Sequence, residues 1–271
     1  MTINVILVLY NSEQVINRCL RALSQAAQNA DILCNVYCVD NQPDLSWPNL
    51  NFKQHFPHLK MFLIRSDSNS GFSGGCRVAI EQYNLADSLL LLNPDAFMTP
   101  DFFVVLERDI KKFDGFEDVL IGTRAVSEDG VSPTRNAGQM PEVYAYANYS
   151  VITPGSVFYD MRIWPLAACL YIKSTKKFAD LFDMPFFLTM EEPALVRSMS
   201  PVVAFSAATV IHEGGHSYDS LLNELQFHAE SLDQYQKLFF FSFSGRLKLM
   251  ATITKLRLLI MLHKLVQGAR F

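Results

Sequence analysis

Ser88-Leu89-Leu90-Leu91-Leu92-Asn93-Pro94-Asp95-Ala96 is the stretch on which the reading of the fold turns. Four consecutive leucines before a polar, Pro-containing break read as a buried strand that stops abruptly at a surface. Asn, Pro and Asp are ordinary turn residues, so Asn93-Pro94-Asp95-Ala96 taken alone reads first as a strand followed by a turn. In an open α/β sheet, however, ligands gather at the carboxyl ends of strands. Asp95 then stands where a ligand, or a metal carrying one, would sit.

The flanking sequence repeats the pattern. Asn4-Val5-Ile6-Leu7-Val8-Leu9-Tyr10 is a nearly continuous apolar run, as a strand buried on both faces requires. Asn11-Ser12 offers helix caps, and Val15, Ile16, Cys19, Leu20 and Leu23 follow at helical spacing. Further strands read Asn35-Val36-Tyr37-Cys38-Val39 and Lys60-Met61-Phe62-Leu63-Ile64. A Gly-rich loop, Ser68-Asn69-Ser70-Gly71-Phe72-Ser73-Gly74-Gly75, leads into a helix through about Tyr83, and Thr99-Pro100-Asp101 starts another. Strand and helix alternating over the first 115 residues predict a parallel sheet with right-handed crossovers. The middle is less regular. Residues 127–141 are turn-rich and read as a mobile loop, residues 143–159 lack charge but carry Asn, Ser, Pro and Gly, and residues 164–172 read as one strand.

At 271 residues, 50% hydrophobic and 18% charged, the chain suits one large domain with an appendage rather than a disordered polymer. Its five cysteines form no Cys-x-x-Cys pair, which points away from a zinc cage or disulfide framework and towards a reducing cytosol. The start, Met1-Thr2-Ile3-Asn4-Val5, shows no basic leader segment, so no secretory signal is expected. Seven of the 23 Lys/Arg residues and none of the 27 Asp/Glu residues lie between Lys237 and Phe271, leaving a body with 16 basic against 27 acidic groups. An acidic body is a poor nucleic-acid binder. The tail mixes those positive charges with Leu, Ile, Met and Phe, and no uncharged run is long enough to span a bilayer. Two readings fit: a helix lying on an anionic membrane, or a helical hairpin packed on the body or on a second copy. The expected division is residues 1–233 as the main domain and residues 234–271 as a basic amphipathic extension.

Five motifs in order, from about Val5 to Ser217, resemble the family 2 glycosyltransferases of the GT-A fold, especially rhamnosyltransferase-like members of bacterial surface-polysaccharide synthesis. The resemblance implies a Rossmann-like α/β fold with a mixed, mostly parallel sheet flanked by helices and a C-terminal helical extension. It implies that Tyr10 and Asn11 border the nucleotide and that Asp40 contacts its base. Read alone, Asp40 is a turn residue, but a carboxylate at a strand end can accept an imide N–H. Asn69, Gly71, Gly74 and Gly75 match the family's Gly loop, which lets backbone approach the donor and leaves the next helix's amides free for an anion. Arg77 and Ala79 depart from the pattern after that loop; Arg77 is either a phosphate ligand or an exposed helix-surface residue.

Asn93 and Asp95 match the metal motif with Asn in the first acidic position, which implies Mg²⁺ or Mn²⁺ held against a diphosphate. Phe186-Phe187-Leu188-Thr189-Met190-Glu191-Glu192-Pro193-Ala194-Leu195 resembles the family's catalytic segment. Glu192 falls at the general base and Glu191 on the acceptor side, while Ala194 replaces a second acid. Ile211-His212-Glu213-Gly214-Gly215-His216-Ser217 resembles a closing loop in which His212 ligates the metal or bonds the diphosphate. The Gly-Gly between His212 and His216 argues against a helix that would align both.

The implied function is inverting transfer from a dTDP- or UDP-sugar, rhamnose first, to a hydroxyl of a lipid-linked oligosaccharide of O-antigen or capsule type. Expected partners are that donor, that acceptor and an anionic membrane, with a homodimer possible and nucleic acid not expected. The expected location is the cytoplasm, peripherally on the inner face of the cell membrane. A catalytically silent binding or scaffold subunit and a nucleotidyltransferase on the same fold are the competing readings. The latter lacks its N-terminal Gly-rich signature.

Overall fold

The computed structural model describes residues 2–42, 56–141, 149–166, 168–187, 189–213, 221–239 and 241–268. Leu188 and residues 214–217, which include His216, lie outside them. The chain opens with β1 (Thr2–Leu9), α1 (Ile16–Asn29), β2 (Leu33–Asp40), β3 (Leu59–Arg65), α2 (Gly71–Tyr83) and β4 (Ser88–Leu92). Next come β5 (Ala96–Met98), α3 (Phe102–Lys111) and β6 (Val119–Val126). The middle holds β7 (Ala137–Gln139), β8 (Tyr149–Ser150), β9 (Val157–Phe158), β10 (Ile163–Pro165) and β11 (Cys169–Lys173). Then follow α4 (Phe178–Leu181), α5 (Glu191–Met199), β12 (Val202–His212), α6 (Leu221–Leu238) and α7 (Phe243–Gly268).

The main sheet runs β3-β2-β1-β4-β11-β6-β12-β5, with β9 on β12, and is mixed but mostly parallel. Its central strands sit between two cores, which is why their sequences are largely apolar without alternation, whereas the edge strand β3 is mostly exposed or half-buried. Ile6, Val8, Leu89 and Leu91 face one core; Val5, Leu7, Leu90 and Leu92 face the other. Helices α1 and α3 cover the second face through Ile16, Leu20, Phe102 and Leu106. Helices α2, α5, α6 and α7 cover the first through Ile80, Leu195, Tyr235 and Leu249.

Two middle segments differ from the sequence reading. Residues 164–172 are two strands in different sheets: β10 pairs with β7 in the small sheet, while β11 lies antiparallel between β4 and β6. Pro165 has no N–H to continue a ladder, and the chain changes sheet just after it. Residues 127–141 contain β7 and a turn tied by Asp129, whose Oδ1 accepts the Val131 and Ser132 amides at 2.9 and 2.8 Å.

At the C-terminal side, α6 runs unbroken through Asp233 and Gln234, so the expected 233/234 division falls inside a helix. Tyr235 of α6 is completely buried, with the Phe239, Phe241 and Phe186 rings at 5.0, 5.5 and 6.5 Å. Leu249, Ile253 and Leu256 of α7 join the same core. The hairpin reading therefore holds for the inner face of this pair. No helix among the described residues is long and apolar enough to cross a membrane.

This packing makes α6 a structural part of the body. Tyr235→Ala is expected to cost about 3 kcal/mol or more of unfolding free energy in urea titrations, because a large aromatic leaves a cavity. A loss under about 1 kcal/mol would show α6 to be a detachable appendage.

Candidate functional site

The site begins where β4 ends. Asn93, Pro94 and Asp95 form a turn closed by the Ala96 amide on the Asn93 carbonyl at 3.1 Å. The chain then re-enters the sheet as β5, antiparallel to β12, in a register that sets Ala96 opposite His212. That register brings the buried Asp95 carboxylate to the His212 imidazole, with Oδ1 and Nε2 3.4 Å apart. The backbone reinforces it: the Glu213 amide donates to the Asp95 carbonyl at 3.2 Å. The Glu213 carboxylate pairs with Arg18 of α1, whose guanidinium lies 3.9 Å from the Phe97 ring centroid.

The Gly loop is held by its own protein. The Gly71 amide donates to Asn69 Oδ1 at 3.1 Å, and the Phe72 amide donates to the Phe187 carbonyl at 2.7 Å. Gly71 has φ +71°, and a Cβ there would lie 1.9 Å from the Phe187 oxygen. Gly75 sits against β1, where a Cβ would lie 2.7 Å from Val8 Cγ1. Both glycines thus serve close approach of protein to protein. The first two amides of α2, which an anion would seek, are already committed. Gly74 lies one turn from Ser70, whose Cβ would be 2.5 Å from an added methyl.

The strand ends are cross-linked beside this loop. Asn11 and Gln42 exchange two hydrogen bonds, 3.1 Å from the Asn11 amide to Oε1 and 2.7 Å from Nε2 to Asn11 Oδ1. Asp40, buried at the end of β2, accepts the Gln42 amide at 3.0 Å. Asn41 donates from Nδ2 to the Gly71 carbonyl at 2.8 Å, fastening β2 to the Gly loop.

A cleft of about 260 Å³ opens here. Among the expected site residues, Tyr10, Asn69, Gly71, Asn93 and Asp95 line it, and His212 reaches it through Asp95. Asn11, Asp40, Gly74 and Gly75 do not line it: Asn11 is exposed, whereas Asp40 and Gly75 are buried. Arg77 lies apart: its guanidinium is held by Glu81 at 2.7 Å and by Asp183, and those carboxylates raise its pKa further. The surface alternative therefore describes Arg77. Sequence reading missed Phe72, Phe187, Asn223 and Phe227 on the wall. Phe187 and Phe227 stack at 4.8 Å and 19°, so α6 closes one side of the cleft. No motif marks α6; its only signal is an Asn and a Phe four residues apart, on one face of a helix.

Glu191 and Glu192 open α5 after Met190, which has φ +77°. They occupy different environments. Glu191 is 2% exposed, its Oε1 has no hydrogen-bond partner among the described residues, and burial followed by the Glu192 charge pushes its pKa up to about 8. Glu192 is half-buried. Pro193 is accepted in the first helical turn, as the sequence allowed.

Among the described residues, no three His, Cys, Asp or Glu side chains converge as a self-sufficient metal cage. Asp95 and His212 do meet, with Asn93 on the same wall. This incomplete donor set fits a hard cation such as Mg²⁺ or Mn²⁺ that takes its remaining ligands from phosphate oxygens and water.

Comparison with known proteins agrees with this architecture. The sequence profile described as Glycosyl transferase family 2 matches residues 4–171. The structure of S. aureus TarS 1-349 is similar, with TM-score 0.54 and 16% identity over 93% of this chain and 71% of that one. GalNAc-T7, solved with UDP, GalNAc and Mn²⁺, is similar with TM-score 0.52 and 14% identity over 87% of this chain and 49% of that one. At these identities the likeness shows the fold. The comparison with curated proteins gave no match.

Two expectations follow from the geometry. Gly71→Ala should lower the unfolding free energy by about 2–4 kcal/mol in urea titrations, because it adds strain at positive φ to a clash with the Phe187 backbone. Glu191 should make stability fall as pH rises. Its ordinary value of 4.5 moves to about 8 on folding. Its contribution is therefore full below 4.5 and lost as pH rises through 8. Thermal melts of Glu191→Gln should show a higher midpoint than wild type at alkaline pH and a smaller difference at acid pH. A constant difference across that range would remove Glu191 as the cause.

Proposed function

The chain belongs to glycosyl transferase family 2, and from that premise we propose that it transfers a sugar, with inversion, from a nucleoside diphosphate donor to an acceptor hydroxyl. The observation that carries the proposal is the meeting of Asp95 with His212 on a cleft also lined by Tyr10 and Asn69. Tyr10, which follows β1 and lines the cleft, would border the base; Asp40, buried at the end of β2 and bonded to the Gln42 amide, would reach it only by giving up that contact. Asp95 and His212, with Asn93, would hold a divalent cation, which when bound supplies positive charge to the departing diphosphate. UDP, GalNAc and Mn²⁺ in the GalNAc-T7 structure are a donor nucleotide, a sugar and a cation of the classes proposed here.

Inverting transfer needs one ionised base and no enzyme nucleophile. Glu192 is assigned that role: it takes the proton of the acceptor hydroxyl as the oxygen attacks the anomeric carbon. Its more buried neighbour Glu191, with pKa raised to about 8, keeps its proton at neutral pH and serves to position the acceptor side. The departures from the family pattern at Arg77, Ala79, Glu192 and Ala194 are what motivates the silent-subunit reading. Of these, Ala79 and Ala194 are fully buried in the core, and Arg77 is held at the surface by Glu81 and Asp183. The finer reading is a dTDP- or UDP-linked donor, rhamnose first, and a lipid-linked oligosaccharide acceptor of O-antigen or capsule type. The enzyme would then work on the inner face of the cell membrane.

The test combines binding and turnover. UDP or dTDP with Mn²⁺ should raise the melting temperature of the wild-type protein, and Asp95→Ala should abolish that rise. In a nucleotide-release assay with a panel of sugar donors, Glu192→Gln should reduce kcat by roughly 10²- to 10⁴-fold while the thermal response to donor persists. Full turnover in either variant would overturn the assignment. Donor binding without turnover in the wild type on every acceptor would favour the silent subunit.

A further inference from the structure

The last long helix has two unlike faces. At 100° per residue, the buried side chains Leu249, Thr252, Ile253 and Leu256 of α7 fall within roughly 100° of arc, against α6 and the core. On the opposite side, Phe243, Leu247, Met250, Leu258, Met261 and Leu262 fall within roughly 120°. All six are exposed, from 50% at Leu247 and Met261 to 80% at Phe243. Basic residues border this stripe on both sides: Arg246, Arg257 and Lys264 on one flank, Lys248 and Lys255 on the other. Arg257 also leans towards Asp233 of α6 at 3.7 Å. There is no Asp or Glu anywhere in α7.

We infer that this outer stripe of α7 is a docking surface for an anionic lipid bilayer, with the helix lying in the plane of the membrane. The inner face is already used, so only the outer one is available to a partner. Its apolar centre suits the acyl boundary at a depth of roughly 5–10 Å, and long Lys and Arg stems on the flanks can reach back to headgroup phosphates. A span is excluded for α7, because no described helix is apolar enough to cross. A second copy of the chain is the poorer occupant, since pairing two such faces would bring together flanks that carry five basic residues, with Asp233 beside Arg257. Because α7 packs on α6, and α6 carries Asn223 and Phe227 on the cleft wall, docking through this stripe holds the cleft in a fixed relation to the bilayer. The inference deepens the proposed function, resting on the lipid-linked acceptor for its setting but not for its test.

The test uses the full-length protein and no sugar donor. Flotation should recover the wild type with vesicles of phosphatidylcholine mixed with phosphatidylglycerol, and recovery should drop as salt rises. Vesicles of phosphatidylcholine alone should recover at least about tenfold less. The triple variant Leu247→Ser, Leu258→Ser, Met261→Ser should lose vesicle binding while keeping its melting temperature, because these side chains are exposed. Lys248→Gln with Lys255→Gln should bind more weakly and show a shallower salt dependence. Undiminished binding by the triple variant would overturn the inference, as would equal recovery with both vesicle types. So would light scattering that shows a lipid-free dimer dispersed by the triple variant, which would assign the stripe to a second copy. Turnover of a soluble acceptor without vesicle binding would sink this inference alone; vesicle binding without turnover on any acceptor would sink only the transferase reading.

Discussion

One hydrogen bond, from the Phe72 amide to the Phe187 carbonyl, ties the Gly loop to the segment before α5 at the cleft. On one side of it stand β1, β2 and the Gly loop. On the other stands the segment that leads to Glu191, Glu192 and α5. The contact demands a residue without a side chain at Gly71, since a methyl group would enter the carbonyl it approaches. Asn41 fixes the Gly loop from beneath, and the Phe187 ring carries the connection outward to Phe227 of α6. Sheet ends, loop and helical wall are therefore parts of one rigid frame, which is what a reaction between two positioned substrates requires.

The frame also explains how two glutamates in sequence acquire different chemistry. The same turn that places Met190 in the left-handed region buries Glu191 and leaves Glu192 half-exposed. Withdrawal from water penalises the charge on Glu191, and the neighbouring carboxylate adds to that penalty. Environment, rather than residue type, separates the two carboxyl groups.

Much of this was legible in the amino acids, and for an identifiable reason. Strands buried on both faces must be apolar at every position, so β1 and β4 announce themselves and their polar ends mark the cleft. The Gly loop and the turn at Asn93 are local, and local geometry leaves local signatures. The meeting of Asp95 with His212 depends instead on the antiparallel register of β5 on β12, which only the family resemblance foretold. Arg77 stayed open between two readings because Asp183, which holds it, is remote in sequence. Asn223 and Phe227 stayed hidden because a helix wall needs no motif. Residues 164–172 read as one strand because hydropathy does not record a change of sheet.

The inner face of α7 has a practical consequence. Leu249, Ile253 and Leu256 close the same core that contains Phe186 and Met190, immediately before the glutamate pair. Cutting the chain before α7 to obtain a better-behaved preparation would strip the cover from that core and invite aggregation. A soluble version is better made by repainting the outer stripe with polar residues, leaving the helix in place as the lid of the interior.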